Sequence, residues 1–307
     1  MMDEEKKTVI YIDHVTKDYG QGRGNFDLTL DIHEGETMGI VGENGAGKTT
    51  LIRQIMGFIK SDKGHIHIYN MDAYKDAANT KNYIGYIPGE INFPDVKSGT
   101  EFLHSYGRSL GMKKENFDYA DEIIQRMQLD IRAYPKRMSK GMKQKTAIVS
   151  AFMLKAPIIL MDEPTTGLDP LMRDELLTLV EEQKKRNATM FISSNTIEEL
   201  ERVCDRVALI SQGKIVDIAN MNDIRNRYFR DFKIEFNNEA DYLTFLKERD
   251  DVIRVQPQFN QATLRVDRKC VDLLLNRLSE LDVKYVSEVK YNLANYFDEV
   301  RKNGKGA

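Results

Sequence analysis

The stretch that most constrains this 307-residue chain is Gly42-Glu43-Asn44-Gly45-Ala46-Gly47-Lys48-Thr49, which fits G-x-x-x-x-G-K-[ST]. It follows an apolar run at 37–41 that reads as a strand and precedes a helical run that starts at Thr50. Strand, glycine-rich turn and helix in that order let backbone N–H groups curl around phosphate oxygens, with the positive end of the helix dipole facing the same anion. Lys48 would reach the β and γ phosphates as a point charge, and the Thr49 hydroxyl would ligate Mg²⁺. Gly42, Asn44, Gly45, Ala46, Gly47, Lys48, Thr49 and Thr50 are the candidate contacts of a nucleoside triphosphate. A glycine-rich turn without ligand is the competing reading, and the strand and helix flanks argue against it.

A second chemical feature lies at 158–163, Ile-Ile-Leu-Met-Asp-Glu, a buried-looking strand that ends in two carboxylates. Beside Mg²⁺, Asp162 would bind the ion through its water shell and Glu163 would polarise the attacking water as general base. Two acids that merely solvate a strand end would look the same if the glycine-rich turn were absent.

Short apolar strands at 9–13, 26–32, 37–41, 158–161, 189–193 and 207–210 alternate with helical stretches, the signature of an α/β domain with a largely parallel sheet. Residues 98–154 read instead as three helices, broken at Gly111 and at Tyr134-Pro135, which makes them a helical insertion. After the Gln212-Gly213 turn a short hairpin return and a polar helix close a first domain at 1–228. From 229 to 307 the order is strand, helix, strand, strand, helix, strand and a final helix, the split βαβ order of a small ferredoxin-like α+β unit. Two domains also suit a length above the roughly 250 to 300 residues at which a single core stops growing.

Composition excludes several classes. With 41% hydrophobic and 30% charged residues and a net charge of -3, the chain is neither disordered nor built for electrostatic nucleic-acid binding. Charge-free stretches such as 146–154 and 156–161 fall far below the ~20 apolar residues of a membrane-spanning helix. No apolar segment of a secretory signal follows Met1. Cys204 and Cys270 lack C-x-x-C spacing and read as reduced, partly buried thiols of a reducing compartment.

Four segments in order carry a resemblance to a family: the P-loop, then Met138-Ser139-Lys140-Gly141-Met142-Lys143-Gln144-Lys145, then Asp162-Glu163-Pro164, then Gly167-Leu168-Asp169-Pro170. Over residues 8–220 the chain resembles the ATP-binding subunits of ABC transporters, in the exporter branch that handles drugs, lipids, bacteriocins and antimicrobial peptides. The resemblance implies a RecA-like parallel sheet core, an N-terminal antiparallel β part and a helical insertion. It also implies ATP and Mg²⁺ as cofactors, an ATPase activity, and a cytoplasmic subunit held on the inner face of the membrane by an integral permease. Tyr19 sits where such ATPases stack an aromatic on adenine, or else is a core tyrosine at a strand end. Ser139 and Gly141 would contact the γ phosphate of ATP held by a second ATP-binding subunit, identical or not, and Asp169 would lie at the dimer centre. The segment 90–106 would form the cleft for a coupling helix of the permease. Phe102 and Tyr106 there are either anchors or packed within the insertion.

Two positions depart from the family pattern. Where a loop glutamine is usual, Ile84-Gly85-Tyr86-Ile87-Pro88-Gly89-Glu90 offers none, so Glu90 is either a substitute metal ligand or an outward, solvated glutamate. After the strand that ends in Ser193-Ser194, Asn195 stands where the family keeps a histidine, and all five histidines precede it. An asparagine amide donates a neutral hydrogen bond but is shorter and does not ionise near neutral pH. The expectation is strong MgATP binding with slow hydrolysis, or one half of an asymmetric pair. The alternative is a nucleotide-gated clamp or regulatory module in which hydrolysis is incidental.

Overall fold

The runs Thr37–Val41 and Ile158–Asp162 are buried at every position, as strands covered on both faces must be. The computed structural model describes residues 7–112 and 117–304. Its strands are β1 (Thr8–Asp18), β2 (Gly24–His33), β3 (Thr37–Val41), β4 (Lys63–Ile68), β5 (Met71–Asp72), β6 (Ile84–Ile87), β7 (Ile158–Asp162), β8 (Thr189–Ser194), β9 (Arg206–Ser211), β10 (Lys214–Asn220), β11 (Phe229–Phe236), β12 (Val252–Gln256), β13 (Gln261–Asp267) and β14 (Val283–Val289). The α-helices are α1 (Lys48–Ile55), α2 (Ala77–Thr80), α3 (Gly99–Ser109), α4 (Phe117–Arg126), α5 (Lys140–Phe152), α6 (Pro170–Lys185), α7 (Ile197–Val203), α8 (Met221–Arg225), α9 (Glu239–Lys247), α10 (Val271–Leu278) and α11 (Leu293–Gly304). Contacts divide the chain into two units that meet between Asn220 and Met221.

In the first unit six strands form one sheet in the order β10-β9-β3-β8-β7-β6. Those from β9 to β6 run parallel, and β10 returns antiparallel through Gln212 and Gly213, both at positive φ as a tight hairpin turn requires. A second sheet, β2-β1-β4-β5, is antiparallel. Leu51, Ile52 and Ile55 of α1 share one core with Ile10, Ile12, Leu28 and Leu30 of that sheet and with Ile40, Leu160 and Phe191 of the parallel one. The strand at 9–13 extends in fact to Asp18. Its apolar alternation breaks at a bulge between Ile12 and Val15, where His14 takes φ 48°, so the period of two is lost midway. Strands β4, β5 and β6 lay outside the expected set because Lys63–Ile68 and Ile84–Ile87 carry glycine and polar residues among few apolar ones.

The insertion is α3, α4 and α5, as its three helical stretches suggested. Helix α5 buries Ala147 through Phe152 and passes so near β6 that a Cβ on Gly85 would stand 2.6 Å from the Ala151 carbonyl oxygen. Arg126 at the end of α4 reaches α6, pairing with Glu175 at 2.6 Å and with Glu182 at 2.8 Å.

The second unit is a four-stranded antiparallel sheet in the order β12-β13-β11-β14 with α9 and α10 in its crossovers, the ferredoxin-like arrangement. Phe232, Ile234 and Phe236 of β11 pack with Leu264, Phe245 and Leu274. Helix α8 packs against α11 within this unit.

Phe191 is fully buried on β8 in the centre of the parallel sheet. Truncating it in Phe191→Ala is expected to cost about 3–5 kcal/mol, read from the denaturant midpoint of the first unit's unfolding. A loss under about 1 kcal/mol would mean that the core collapses around the cavity or packs elsewhere.

Candidate functional site

Parallel strands present their C-terminal ends on one edge, and the order β3-β8-β7-β6 sets four segments side by side there. They are the Gly42–Lys48 loop after β3, Asn195 after β8, Asp162 at the end of β7 with Glu163 just after it, and Gly89 just beyond β6. Residues far apart in sequence are thereby neighbours by register: Val41 pairs with Ser194, and Asp162 with Ser193.

The loop needs its glycines. Gly45 and Gly47 have φ 82° and 111°, and a Cβ on Gly47 would come within 2.1 Å of the Asn25 amide. Gly42 faces the Ile210 carbonyl, which a Cβ would meet at 2.2 Å. Helix α1 starts at Lys48 with no side chain capping its N–H groups, so these donors remain for an anion.

Lys48 is only 4% exposed. Its ammonium donates to the carbonyls of Gly42 at 2.7 Å and Glu43 at 3.1 Å and to Asn195 Oδ1 at 2.7 Å, with Glu163 Oε1 at 3.7 Å. Burial pushes its pKa below the usual 10.5, and the Glu163 and Asp162 carboxylates only partly offset that. Asn195 spans the site, since its amide nitrogen donates to Glu163 Oε1 at 3.0 Å while its oxygen accepts from Lys48. Those two partners, a carboxylate and an ammonium, fix which way the amide points.

Asp162 is buried, and one of its oxygens accepts from Thr49 Oγ1 at 3.1 Å and Ser193 Oγ at 2.7 Å. The other, Oδ2, is buried with no hydrogen-bond partner among the described residues. A Cβ on Gly89 would stand 2.9 Å from that atom, so the glycine leaves a cradle in front of it. An orphaned buried carboxylate oxygen is costly unless something positive meets it. Glu163 takes φ 47°, held by two bonds from its N–H to Ser193, at 2.9 Å to Oγ and 3.2 Å to the carbonyl.

The remaining candidates lie apart from this group. Ser139 accepts from Met142 N–H at 3.2 Å and so caps α5, and Asp169 accepts from Met172 N–H at 3.0 Å and caps α6. Gly141 lets α5 approach the Gly167 carbonyl, which a Cβ would meet at 2.8 Å. Tyr19 is half-exposed in the β1–β2 turn, with the Lys17 ammonium 5.8 Å from its ring centroid. Glu90 is exposed and lines an open cleft of about 400 Å³ with Lys140, Lys143 and Gln144, and no hydrogen bond or ion pair joins it to Thr49 or Asp162. Phe102 stacks on Tyr106 within α3, centroids 5.7 Å apart, and meets Phe93 edge-on at 4.7 Å.

Residues 26–166 match the ABC transporter family. The bacitracin transport ATP-binding protein BcrA of Bacillus licheniformis is 31% identical, over 83% of this chain and 87% of its own length. The chain belongs to the ABC transporter ATP-binding family. Such a subunit binds and hydrolyses ATP. The linearmycin resistance ATP-binding protein LnrL of Bacillus subtilis is 32% identical, over 76% of this chain and 77% of its own. A solved ATP-binding subunit of an ABC transporter superposes with a TM-score of 0.66 at 28% identity, over 72% of this chain and 93% of that one.

Sequence reading of this ABC subunit missed Ser193, which binds both Asp162 and the Glu163 backbone. A serine inside an apolar strand is a signal of that kind only once the strand's neighbour is known. It also missed Asn25, a buried amide that lies against Gly47 and meets the Gln54 side chain at 2.9 Å.

Lys48 generates a pH prediction. Between its lowered native value and 10.5 the unfolded chain binds more protons than the native one, so the ligand-free protein gains stability as pH rises through that window. Denaturant midpoints taken from about pH 8 to about pH 10.5 should rise by more in the wild type than in Lys48→Met. Parallel pH profiles would place the ammonium in contact with water.

Proposed function

We propose that this chain binds MgATP around Lys48, closes on a second ATP-binding subunit, and thereby drives a separate exporter-type permease, with slow hydrolysis at each turnover. The observation that carries the reading is Asn195, which joins Lys48 to Glu163 in place of a histidine. The printed roles of two relatives, bacitracin transport and linearmycin resistance, support an antimicrobial or similar amphipathic cargo. No described helix is long and apolar enough to cross a membrane, which suits a subunit that meets the bilayer through a permease on its cytoplasmic side.

The pocket fits Mg²⁺. Thr49 Oγ1 would bind the ion directly, and Asp162, whose Oδ2 has no partner among the described residues, would hold it through its water shell, with phosphate and water as the other ligands. When bound, the ion neutralises charge on the phosphates. Glu90 shares an open cleft with Lys140 and Lys143 of α5, and no bond among the described residues joins it to Thr49 or Asp162.

The chain's own groups do the rest. Backbone amides of the loop from Gly42 to Thr50 hold the phosphates, and Lys48 exchanges its carbonyl partners for phosphate oxygens. Glu163 takes the proton of a water whose oxygen attacks the γ phosphorus, and the β–γ bridging P–O bond breaks to release ADP and phosphate. The Asn195 nitrogen has two hydrogens, one for Glu163 and one for the γ phosphate. It neither ionises nor extends as far as an imidazole, so the water and carboxylate are held less firmly. Tyr19 offers its exposed face to adenine, and Ser139, Gly141 and Asp169 meet the partner subunit's nucleotide.

Turnover of the assembled transporter should be slow for the native chain and rise by about 10- to 100-fold in Asn195→His, with ATP affinity little changed. Brisk, equal turnover in both would refute the slowed-hydrolysis reading. Failure of the native chain to bind ATP would sink the whole assignment.

A further inference from the structure

One buried carboxylate beside the site has no part in the chemistry above. Glu199 lies in the first turn of α7, is 7% exposed, and is surrounded by Pro164, Leu176, Val180, Ile192 and Leu200. An acid three residues past a helix N-cap ordinarily reaches back to the cap's own N–H. Glu199 does something else. Its Oε2 accepts from Ser194 Oγ at 3.0 Å and from Thr165 Oγ1 at 2.9 Å, and Oε1 faces Arg173 Nε at 3.5 Å.

The two hydroxyls belong to different strand ends. Ser194 immediately precedes Asn195, and its Oγ also accepts from the Thr196 N–H at 2.9 Å, so both neighbours of Asn195 are tied down. Thr165 stands two residues after Glu163, in the turn where Thr166 N–H returns to the Glu163 carbonyl at 3.1 Å and Leu168 N–H to the Thr165 carbonyl at 3.1 Å. Asn195 and Glu163, 3.0 Å apart, thus sit on segments anchored to a single carboxylate oxygen. Neither Lys48 nor Thr49 touches this anchor among the described contacts.

We propose that Glu199 is a positioning residue for hydrolysis: through Ser194 and Thr165 it sets the spacing of Asn195 against Glu163, and it acts on the chemical step without holding the nucleotide. The proposal rests on the ATPase reading above. A carboxylate is suited to the task because it accepts two hydroxyl hydrogens on one oxygen, and burial keeps water from competing for either. Loss of the anchor frees both segments, and displacement of a catalytic pair by about 1 Å costs on the order of 100-fold in rate.

The test is steady-state ATP turnover and equilibrium binding of a fluorescent ATP analogue, made on the full chain in its assembled complex. Glu199→Ala should lower kcat by about 10- to 100-fold with the dissociation constant within about threefold of wild type. Glu199→Gln keeps an oxygen for both hydroxyls and should recover most of that loss. Thr165→Val and Ser194→Ala retain the carboxylate and nearly the same volume, so they test the idea even if Glu199→Ala does not fold. Each should lower kcat but not affinity. A purely structural carboxylate would weaken binding and turnover together, and that result, or unchanged kcat in the two hydroxyl variants, overturns the proposal. A wild type that binds no analogue condemns the ATPase reading itself and is recognised before any variant is made.

Discussion

The parallel pairing of β3 with β8 and of β8 with β7 is the constraint on which the site depends. Because parallel neighbours end on the same edge, the chain needs no long loops to bring together the segments around residues 42, 89, 162 and 195, the ATP pocket of the proposed reading. A slip of one residue would be ruinous twice over. It would turn the side chains of a strand buried on both faces, and it would carry Ser193 away from Asp162, whose 2.7 Å bond orients the carboxylate toward Thr49. Sheet register is therefore a functional coordinate here as well as a structural one.

The same edge concentrates groups that the ligand-free fold satisfies incompletely. Lys48 is a desolvated ammonium leaning on two carbonyls, and Asp162 Oδ2 is a buried oxygen without a donor among the described residues. Both are unfavourable for stability, and under the proposed reading both would become favourable once a polyanion and a cation entered. The rest of the first unit offsets that cost through the core in which α1 lies between the two sheets. Asn195 moderates it locally, since in the ligand-free state its amide satisfies Lys48 and Glu163 at once.

Much of this was legible in the sequence because the signals were local. The P-loop is a contiguous motif whose glycines meet hard steric limits, and Gly47 at φ 111° against Asn25 shows why no other residue serves. The three helices of the insertion and the split βαβ order of the second unit were likewise written in apolar spacing and turn residues. What stayed hidden was either irregular or nonlocal. Strand β1 loses its alternation at the His14 bulge, and β6 contains a glycine because α5 passes against it. The bonds of Ser193, Asn25 and Glu199 join segments separated by roughly 30 residues, a spacing that no periodicity announces.

Ser139 and Asp169 each satisfy their own helix and, under the proposed reading, would also meet a partner subunit. Each accepts a single backbone N–H, which leaves the Ser139 hydroxyl hydrogen and the second Asp169 carboxylate oxygen uncommitted by the cap. Capping fixes the side chain in one rotamer, so little entropy is left to lose when another surface arrives. Helix α5 carries no acidic residue in its first turn, which leaves the positive end of its dipole without a local counter-charge. Under the proposed reading that end would meet a phosphate held by the partner subunit. A residue assigned to local structure by its contacts in one chain can then be a binding residue in the pair, and the two roles reinforce each other because the cap supplies the preorganisation that binding requires.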